Sequence, residues 1–131
     1  MRDDSMAGGP LQSLRWIGGA NLPTMGGWRI NATEFFAELR LDRNSVELRL
    51  RGPLHRLTRA ESLHANPGDL VEAFPIRSTL RFRGVGFRRP DGREYYFKTS
   101  QSDNILHALR DFGFQVSAVT QPAADLWRLK P

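Results

Sequence analysis

Arginines dominate one stretch of the sequence and give it the means to bind anions. Between Ile76 and Lys98 lie seven bases and two acids, and this excess of five positive charges equals the net charge of +5 of the whole chain. The guanidinium fork donates paired hydrogen bonds to phosphates and carboxylates. The candidate binding residues are Arg77, Arg81, Arg83, Arg88, Arg89 and Arg93. The pattern has two interpretations. The arginines bind an anionic ligand, which would be a membrane headgroup or a nucleic acid, or they form a solvated face that keeps a sheet soluble.

Three aromatic residues beside these arginines would add a second mode of nucleic-acid binding if their rings were exposed. Phe87, Tyr95 and Tyr96 could stack on bases, as aromatic side chains do in single-strand binders. The alternative interpretation places Phe87 in the core and one of the tyrosines on the surface.

Residues that could support catalysis or bind a metal are few. His55, His64 and His107 stand in no metal-binding or triad pattern, and the chain has no cysteine, which excludes a thiol nucleophile and a disulfide. The glycine pairs near the N-terminus lack the spacing of nucleotide-binding loops. We therefore predict a protein that is not an enzyme, with no catalytic residue, no metal and no cofactor.

The composition and the N-terminus favour a single cytoplasmic domain. A chain of 131 residues with 40% apolar residues suffices for one packed core. Asp3 and Asp4 come early, no apolar signal segment follows them, and no stretch is long enough for a transmembrane segment. The lack of cysteine agrees with a reducing compartment.

The elements that must position the arginines follow from the spacing of apolar residues. Residues 1–27 hold six of the twelve glycines and predict a flexible lead-in. Alternation of apolar and charged residues over 35–41 and 46–50 predicts a β-hairpin around a turn at 42–45. Residues 54–75 are less regular, with a turn at 66–69.

The second half of the chain carries clearer signals. Val71 and Phe74 are expected in the core, and Pro75 at a sheet edge. Alternation from Ile76 to Arg83 predicts a strand, and the shift of register at 84–86 predicts a turn or bulge after it. Residues 90–93 predict a hairpin turn, and the strand after it runs from Glu94 to Thr99.

One amphipathic helix follows, from about Asp103 to Phe112. Ser102 or Asp103 is expected to cap its start, and Gly113 to end it. Its apolar face consists of Ile105, Leu106, Leu109 and Phe112. Residues 117–131 form a C-terminal extension that we expect to pack through Trp127. Short strands followed by one helix predict a mainly β fold, a small barrel or bent sheet closed by that helix.

Several segments taken together resemble a known family. They are Trp28–Thr33, Gly84–Arg89, Tyr95–Thr99 and Asn104–Val116. As a set they resemble the bacterial pleckstrin-homology-like domains of the GRAM-like variety, over residues 28–116. The resemblance implies a bent, seven-stranded barrel or two-sheet sandwich capped by a C-terminal helix, and a role in binding lipids, peptides or proteins.

The chain departs from the lipid-binding members of that family. The loop at 42–45 contains one acid and one base where those members carry several bases, and the helix has no tryptophan. We therefore predict a binding or scaffolding module for a protein or peptide partner, or one that assembles with itself as a homodimer. An open sheet edge could accept an extended segment. The alternatives are anion binding by the arginines and, third, an unrecognised enzyme.

Overall fold

The computed structural model describes residues 13–24, 28–52, 60–77 and 83–123, and for residues 33–35 the backbone alone. These residues form eight strands, one short 3-10 helix at Pro67–Asp69 and one α-helix. The strands are β1 (Leu14–Pro23), β2 (Arg29–Leu41), β3 (Val46–Leu50), β4 (Leu63–Ala65), β5 (Glu72–Arg77), β6 (Arg83–Arg88), β7 (Glu94–Lys98) and β8 (Gln121–Pro122), and the helix is α1 (Ser102–Asp111). The prediction of a mainly β fold is confirmed, and the predicted helix is present as α1.

All eight strands belong to one sheet in the order β4-β3-β2-β1-β7-β6-β5-β8. Neighbours are antiparallel, except that β8 runs parallel to β5. Within the described residues the sheet is open, because its edge strands β4 and β8 do not pair with each other.

The central strand β1 lies where the sequence predicted a flexible lead-in, so that prediction is wrong for Leu14–Pro23. β1 pairs with β2 along nearly its whole length and with β7 through Gly19, Ala20 and Asn21. The glycines are there for a physical reason. A Cβ on Gly18 would come within 2.4 Å of the Lys98 carbonyl oxygen, so only glycine allows these strands to approach.

A bulge in β2 divides the sheet into two halves. Gly18 lies opposite Ala37 and Ala20 opposite Ala32, so two steps along β1 match five steps along β2. Extra residues of this kind bend a strand and increase its twist. Both halves of β1 pair with β2, and on the other side of β1 only the second half pairs with β7.

The main core lies between the sheet and α1. Leu39, Leu48, Val85 and Phe97 are fully buried there, and α1 packs against β5 and β6. The predicted apolar face of the helix is confirmed for Ile105, Leu106 and Leu109, which are buried. The fourth predicted residue, Phe112, is half-buried.

The predicted helix cap is wrong. Ser102 and Asp103 already belong to α1, and the residue before them, Gln101, makes no side-chain cap. Instead, the Gln101 amide donates to Oγ1 of Thr99 at 3.0 Å. Gly113 ends the helix with φ +91, as predicted.

Both predicted hairpins are confirmed. In the turn between β2 and β3, Oδ1 of Asp42 accepts the amides of Asn44 and Ser45 at 2.9 Å each. In the turn between β6 and β7, Oδ1 of Asp91 accepts the amide of Arg93 at 2.9 Å. Short acidic side chains commonly stabilise turns in this way.

The region between the hairpins differs from the prediction. Ile76 and Arg83 belong to different strands, because β5 and β6 are antiparallel and Arg77 lies opposite Arg83. Residues 78–82 of the predicted strand lie outside the described residues. Residues 84–86 lie inside β6 and form no turn; a Cβ on Gly86 would come within 2.4 Å of the Phe74 ring.

The predicted burial in this region is half right. Phe74 is buried, but Val71 is 47% exposed. Phe74 belongs to a second apolar cluster with Ile76, Tyr96 and Ala123, on the face of the sheet opposite Ala73 and Phe87. Some of the apolar residues that the sequence analysis assigned to a single core therefore belong to this second cluster.

The C-terminal extension is partly described. β8 pairs with β5, and Ala123 behind it is buried, while Trp127 lies outside the described residues. Among the helices within the described ranges, none is long and apolar enough to cross a bilayer.

Candidate functional site

The predicted arginine surface is divided between the two ends of the β5–β6 hairpin. Arg83 and Arg88 lie at opposite ends of β6, about 17 Å apart at the rise of an extended strand, and alternation places them on opposite faces. Arg77 lies directly opposite Arg83. Arg89 and Arg93 flank the turn between β6 and β7, and Arg81 lies outside the described residues. The sequence predicted one patch, and the fold separates its members.

Arg88 is neutralised by neighbours from three strands. Its Nη1 donates to Oε2 of Glu72 at 2.6 Å, its Nε to Oε2 of Glu94 at 2.8 Å, and its Nη2 to Oε1 of Gln121 at 2.5 Å. The guanidinium carbon also lies 4.7 Å from the centre of the Phe74 ring. The hydrogen bond to Glu94 is the largest cause that raises the pKa of Arg88 above its usual value. With three donors engaged, Arg88 is a structural cation.

Arg93 is also paired. Its Nη1 contacts Oε2 of Glu61 at 2.6 Å, and Asp91 lies 3.7 Å from its Nε. The negative charge of Glu61 is the largest cause that raises the pKa of Arg93. The Tyr95 hydroxyl donates to the other oxygen of Glu61 at 3.2 Å, so this group ties the β6–β7 turn to the segment before β4.

Arg77 and Arg83 remain as exposed cations. They face each other across β5 and β6, and neither guanidinium forms a hydrogen bond or ion pair with the parts of the chain that the structure describes. Like charges directly opposite on neighbouring strands are unfavourable. Of the five candidate arginines that the structure describes, these two are best placed to meet an external anion, because Arg88 and Arg93 are paired and Arg89 is half-buried.

The aromatic residues proposed to stack on bases are buried. Phe87, Tyr95 and Tyr96 are at most 3% exposed, so the stacking interpretation is wrong for all three. Arg29 covers Tyr96, with its guanidinium carbon 4.8 Å from the ring centre. Sequence analysis assigned no role to Arg29, because its partners lie on other strands, Asn21 on β1 and Glu94 on β7.

Arg29 on β2 connects β1 and β7 by hydrogen bonds on the outer face of the sheet, which is the face opposite the main core. Its Nε donates to Oδ1 of Asn21, and its Nη2 donates to the carbonyls of Asn21 at 3.1 Å and Glu94 at 2.7 Å. Desolvation by burial lowers the pKa of Arg29 from its usual value. The Tyr96 hydroxyl donates to Glu94, which links this group to Arg88.

Glu38 is a buried carboxylate between two arginines on the outer face of β2. Oε2 of Glu38 lies 2.8 Å from Nε of Arg15 and 2.9 Å from Nη2 of Arg40. Burial alone would raise the pKa of Glu38, but the hydrogen bond from Arg40 and the charge of Arg15 outweigh it, and the pKa lies below its usual value. This group holds β1 against β2.

The first half of β1 presents an open edge. Residues Leu14–Gly18 pair with β2 on one side, whereas β7 reaches only Gly19, Ala20 and Asn21 on the other. No strand of the described ranges pairs with that second edge from Leu14 to Ile17, whereas Gly18 is buried next to Phe97 and Lys98. In an antiparallel ladder, alternate residues point their N–H and C=O groups away from the paired side. Leu14 and Ile17 are each 37% exposed there.

One shallow groove of about 560 Å³ lies between the β2–β3 turn and the end of α1. It is lined by Arg43, Asn44, Asp111, Phe112 and Gly113. Asp111 lies 3.5 Å from Nε2 of His107. These side chains are exposed or half-buried, and the groove brings together no nucleophile with a base.

Of the two remaining histidines, the structure describes only His64, which belongs to no group of potential metal ligands. His64 is exposed opposite Glu47 on β3, and His55 lies outside the described residues. Among the residues the structure describes, no three potential ligands are grouped to hold a metal ion.

No family model matches the chain, and no curated protein matches it either.

Proposed function

We propose that this chain is a pleckstrin-homology-like binding module without catalytic activity, which binds an extended segment of a protein partner along the open edge of β1. A bent sheet with a C-terminal helix packed on it agrees with the fold that the family resemblance implies. The single observation that carries the proposal is the edge of Leu14–Ile17, which no described strand pairs, beside the exposed side chains of Leu14 and Ile17.

Strand addition explains why such an edge is useful. An added strand satisfies the outward N–H and C=O groups, and its alternate side chains meet the two faces of the sheet. On the inner face it would meet Leu14 and Trp16, and on the outer face Arg15 and Ile17. The side chain of Arg15 is 55% exposed although it contacts Glu38.

These surroundings define the partner. Positions that face Leu14 and Trp16 should be apolar, and the position opposite Arg15 should be acidic, because a carboxylate there adds a second acceptor for the guanidinium. The expected ligand is therefore an extended peptide of at least five residues, with alternating apolar residues and one carboxylate.

Selection from a random peptide library tests the proposal. We expect the enriched peptides to show this alternating pattern, and their binding should protect amides within Leu14–Ile17 from hydrogen exchange. Ile17→Lys should weaken binding at least tenfold, because a lysine on a strand edge opposes strand addition. The control Val71→Lys, at a similarly exposed apolar residue elsewhere, should leave binding within twofold.

Two results would overturn the proposal. One is protection that maps outside β1 for the selected peptides. The other is a stable dimer in sedimentation that Ile17→Lys converts to a monomer, since the edge would then serve self-assembly.

A further inference from the structure

We infer that Arg77 and Arg83 form a binding site for a phosphate monoester, at the end of the sheet remote from Arg88. The site uses β5 and β6, whereas the proposed peptide edge belongs to β1. The two proposals therefore stand or fall separately.

Three polar residues lie side by side across β5, β6 and the end of β7. Arg77 lies opposite Arg83, and the Thr99 amide donates to the Arg83 carbonyl at 2.8 Å, which places Thr99 on the other side of Arg83. The same face carries Pro75, Val85 and Phe97 one step deeper. The two guanidiniums and the Thr99 hydroxyl thus lie just beyond the core, on one face.

The distances suit one small ligand. Directly opposite residues have Cβ atoms about 5 Å apart, so two arginine side chains from such positions can converge on a single group. The Thr99 hydroxyl accepts the Gln101 amide, which leaves its own proton free to be donated outward.

The charge of the site selects the class of ligand. Two facing guanidiniums require two negative charges, and a phosphate monoester carries about −1.5 to −2 at neutral pH with three terminal oxygens. A single carboxylate has one charge and two oxygens, which satisfy only one arginine fork. Two other cations of strands β6 and β7 already have partners: Arg88 contacts Glu72 and Glu94, and Lys98 contacts Asn31.

Nuclear magnetic resonance titration of the full chain tests the site. Inorganic phosphate and glycerol 3-phosphate are added at constant ionic strength, with acetate as the comparison. We expect saturable shifts at Arg77, Arg83 and Thr99 with the phosphates and none with acetate. Equal responses to acetate, or saturable shifts that centre elsewhere, would refute the site.

Two pairs of variants test whether the site depends on Arg77 and Arg83 or only on net charge. Arg77→Gln with Arg83→Gln should weaken phosphate binding at least tenfold, whereas Arg43→Gln with Arg110→Gln, which removes the same charge from other exposed positions, should change it less than twofold. Equal losses in both pairs would mean that net charge alone is responsible, against the proposal.

The source of the phosphate is distinguished separately. Vesicles of phosphatidylcholine containing phosphatidic acid present the same monoester on a membrane, and vesicles of phosphatidylcholine alone do not. Binding to the former that requires Arg77 and Arg83 assigns a lipid headgroup as ligand. Binding of soluble phosphates without vesicle binding assigns a soluble one, and failure of both contradicts the inference.

Discussion

Individual charged residues in this protein act mainly through the partner that the fold gives them. Glu38 is the clearest case, because its carboxylate is buried and yet remains charged between Arg15 and Arg40. Paired charges of this kind stabilise a fold only while both members are ionised.

Replacing Glu38 should therefore make stability less dependent on pH. Glu38→Gln should lower the free energy of unfolding by about 1–2 kcal/mol near pH 7, since a charged hydrogen bond is lost. The pKa of Glu38 is lower in the folded chain than in the unfolded chain. Its contribution is therefore present above the unfolded value, and it is lost as pH falls through the folded one.

Urea unfolding between pH 3 and pH 7 checks this prediction. The difference between the wild type and Glu38→Gln should narrow as the pH falls. Glu47→Gln, on the same sheet face but half-exposed, serves as the control and should change stability by less than about 0.5 kcal/mol. A constant difference at every pH would contradict the role of ionised Glu38.

At the scale of elements, Arg88 connects β6 to the strands on both sides. It contacts Glu72 on β5, Glu94 on β7 and Gln121 on β8. β8 itself has only two residues, so side chains and the Ala123 amide, which donates to the Arg77 carbonyl at 3.2 Å, must hold it to the sheet.

Arg88→Ala should loosen β8 first. We expect a loss of about 2 kcal/mol in unfolding free energy, because two partly buried carboxylates lose their partner, and faster hydrogen exchange at Ala123. Arg83→Ala, on the same strand but without these contacts, is the control and should leave the Ala123 amide unchanged. Equal exchange rates in both variants would show that β8 does not depend on Arg88.

The elements also show which sequence signals were sufficient. β3 and α1 were predictable because their apolar residues recur at periods of two and of about 3.6. β1 was missed because Gly18, Gly19 and Ala20, though buried, have no large side chain to mark an inward face. The arginine surface was misjudged because Glu72 and Glu61, which pair with Arg88 and Arg93, lie far from them in sequence.

At the scale of the whole molecule, β1 joins the two halves of the sheet. It is the one strand that pairs with both β2 and β7 among the described residues. A domain that began at residue 28, as the sequence predicted, would separate β2 from β7 and expose the core that both cover.

A chain shortened to begin at residue 28 should therefore fail to fold. Loss of a central strand removes several fully buried side chains, Ala20 and Leu22 among them, together with two rows of backbone hydrogen bonds. Near-ultraviolet circular dichroism and the width of the thermal transition check this against the full chain. A native spectrum and a sharp transition in the shortened chain would contradict the central role of β1.

The pairing of β1 with β7 also means that β1 is synthesised well before one of its two partner strands. Gly19 pairs with Lys98, so the central strand leaves the ribosome long before its second partner exists. At a synthesis rate of about 5–20 residues per second, the interval is roughly 4 to 16 seconds. During that time Ala20 and Leu22, which are buried in the folded chain, lie on a strand whose second side cannot yet pair with β7. Chaperones that shield nascent strands should therefore matter more to this protein than to a small helical one.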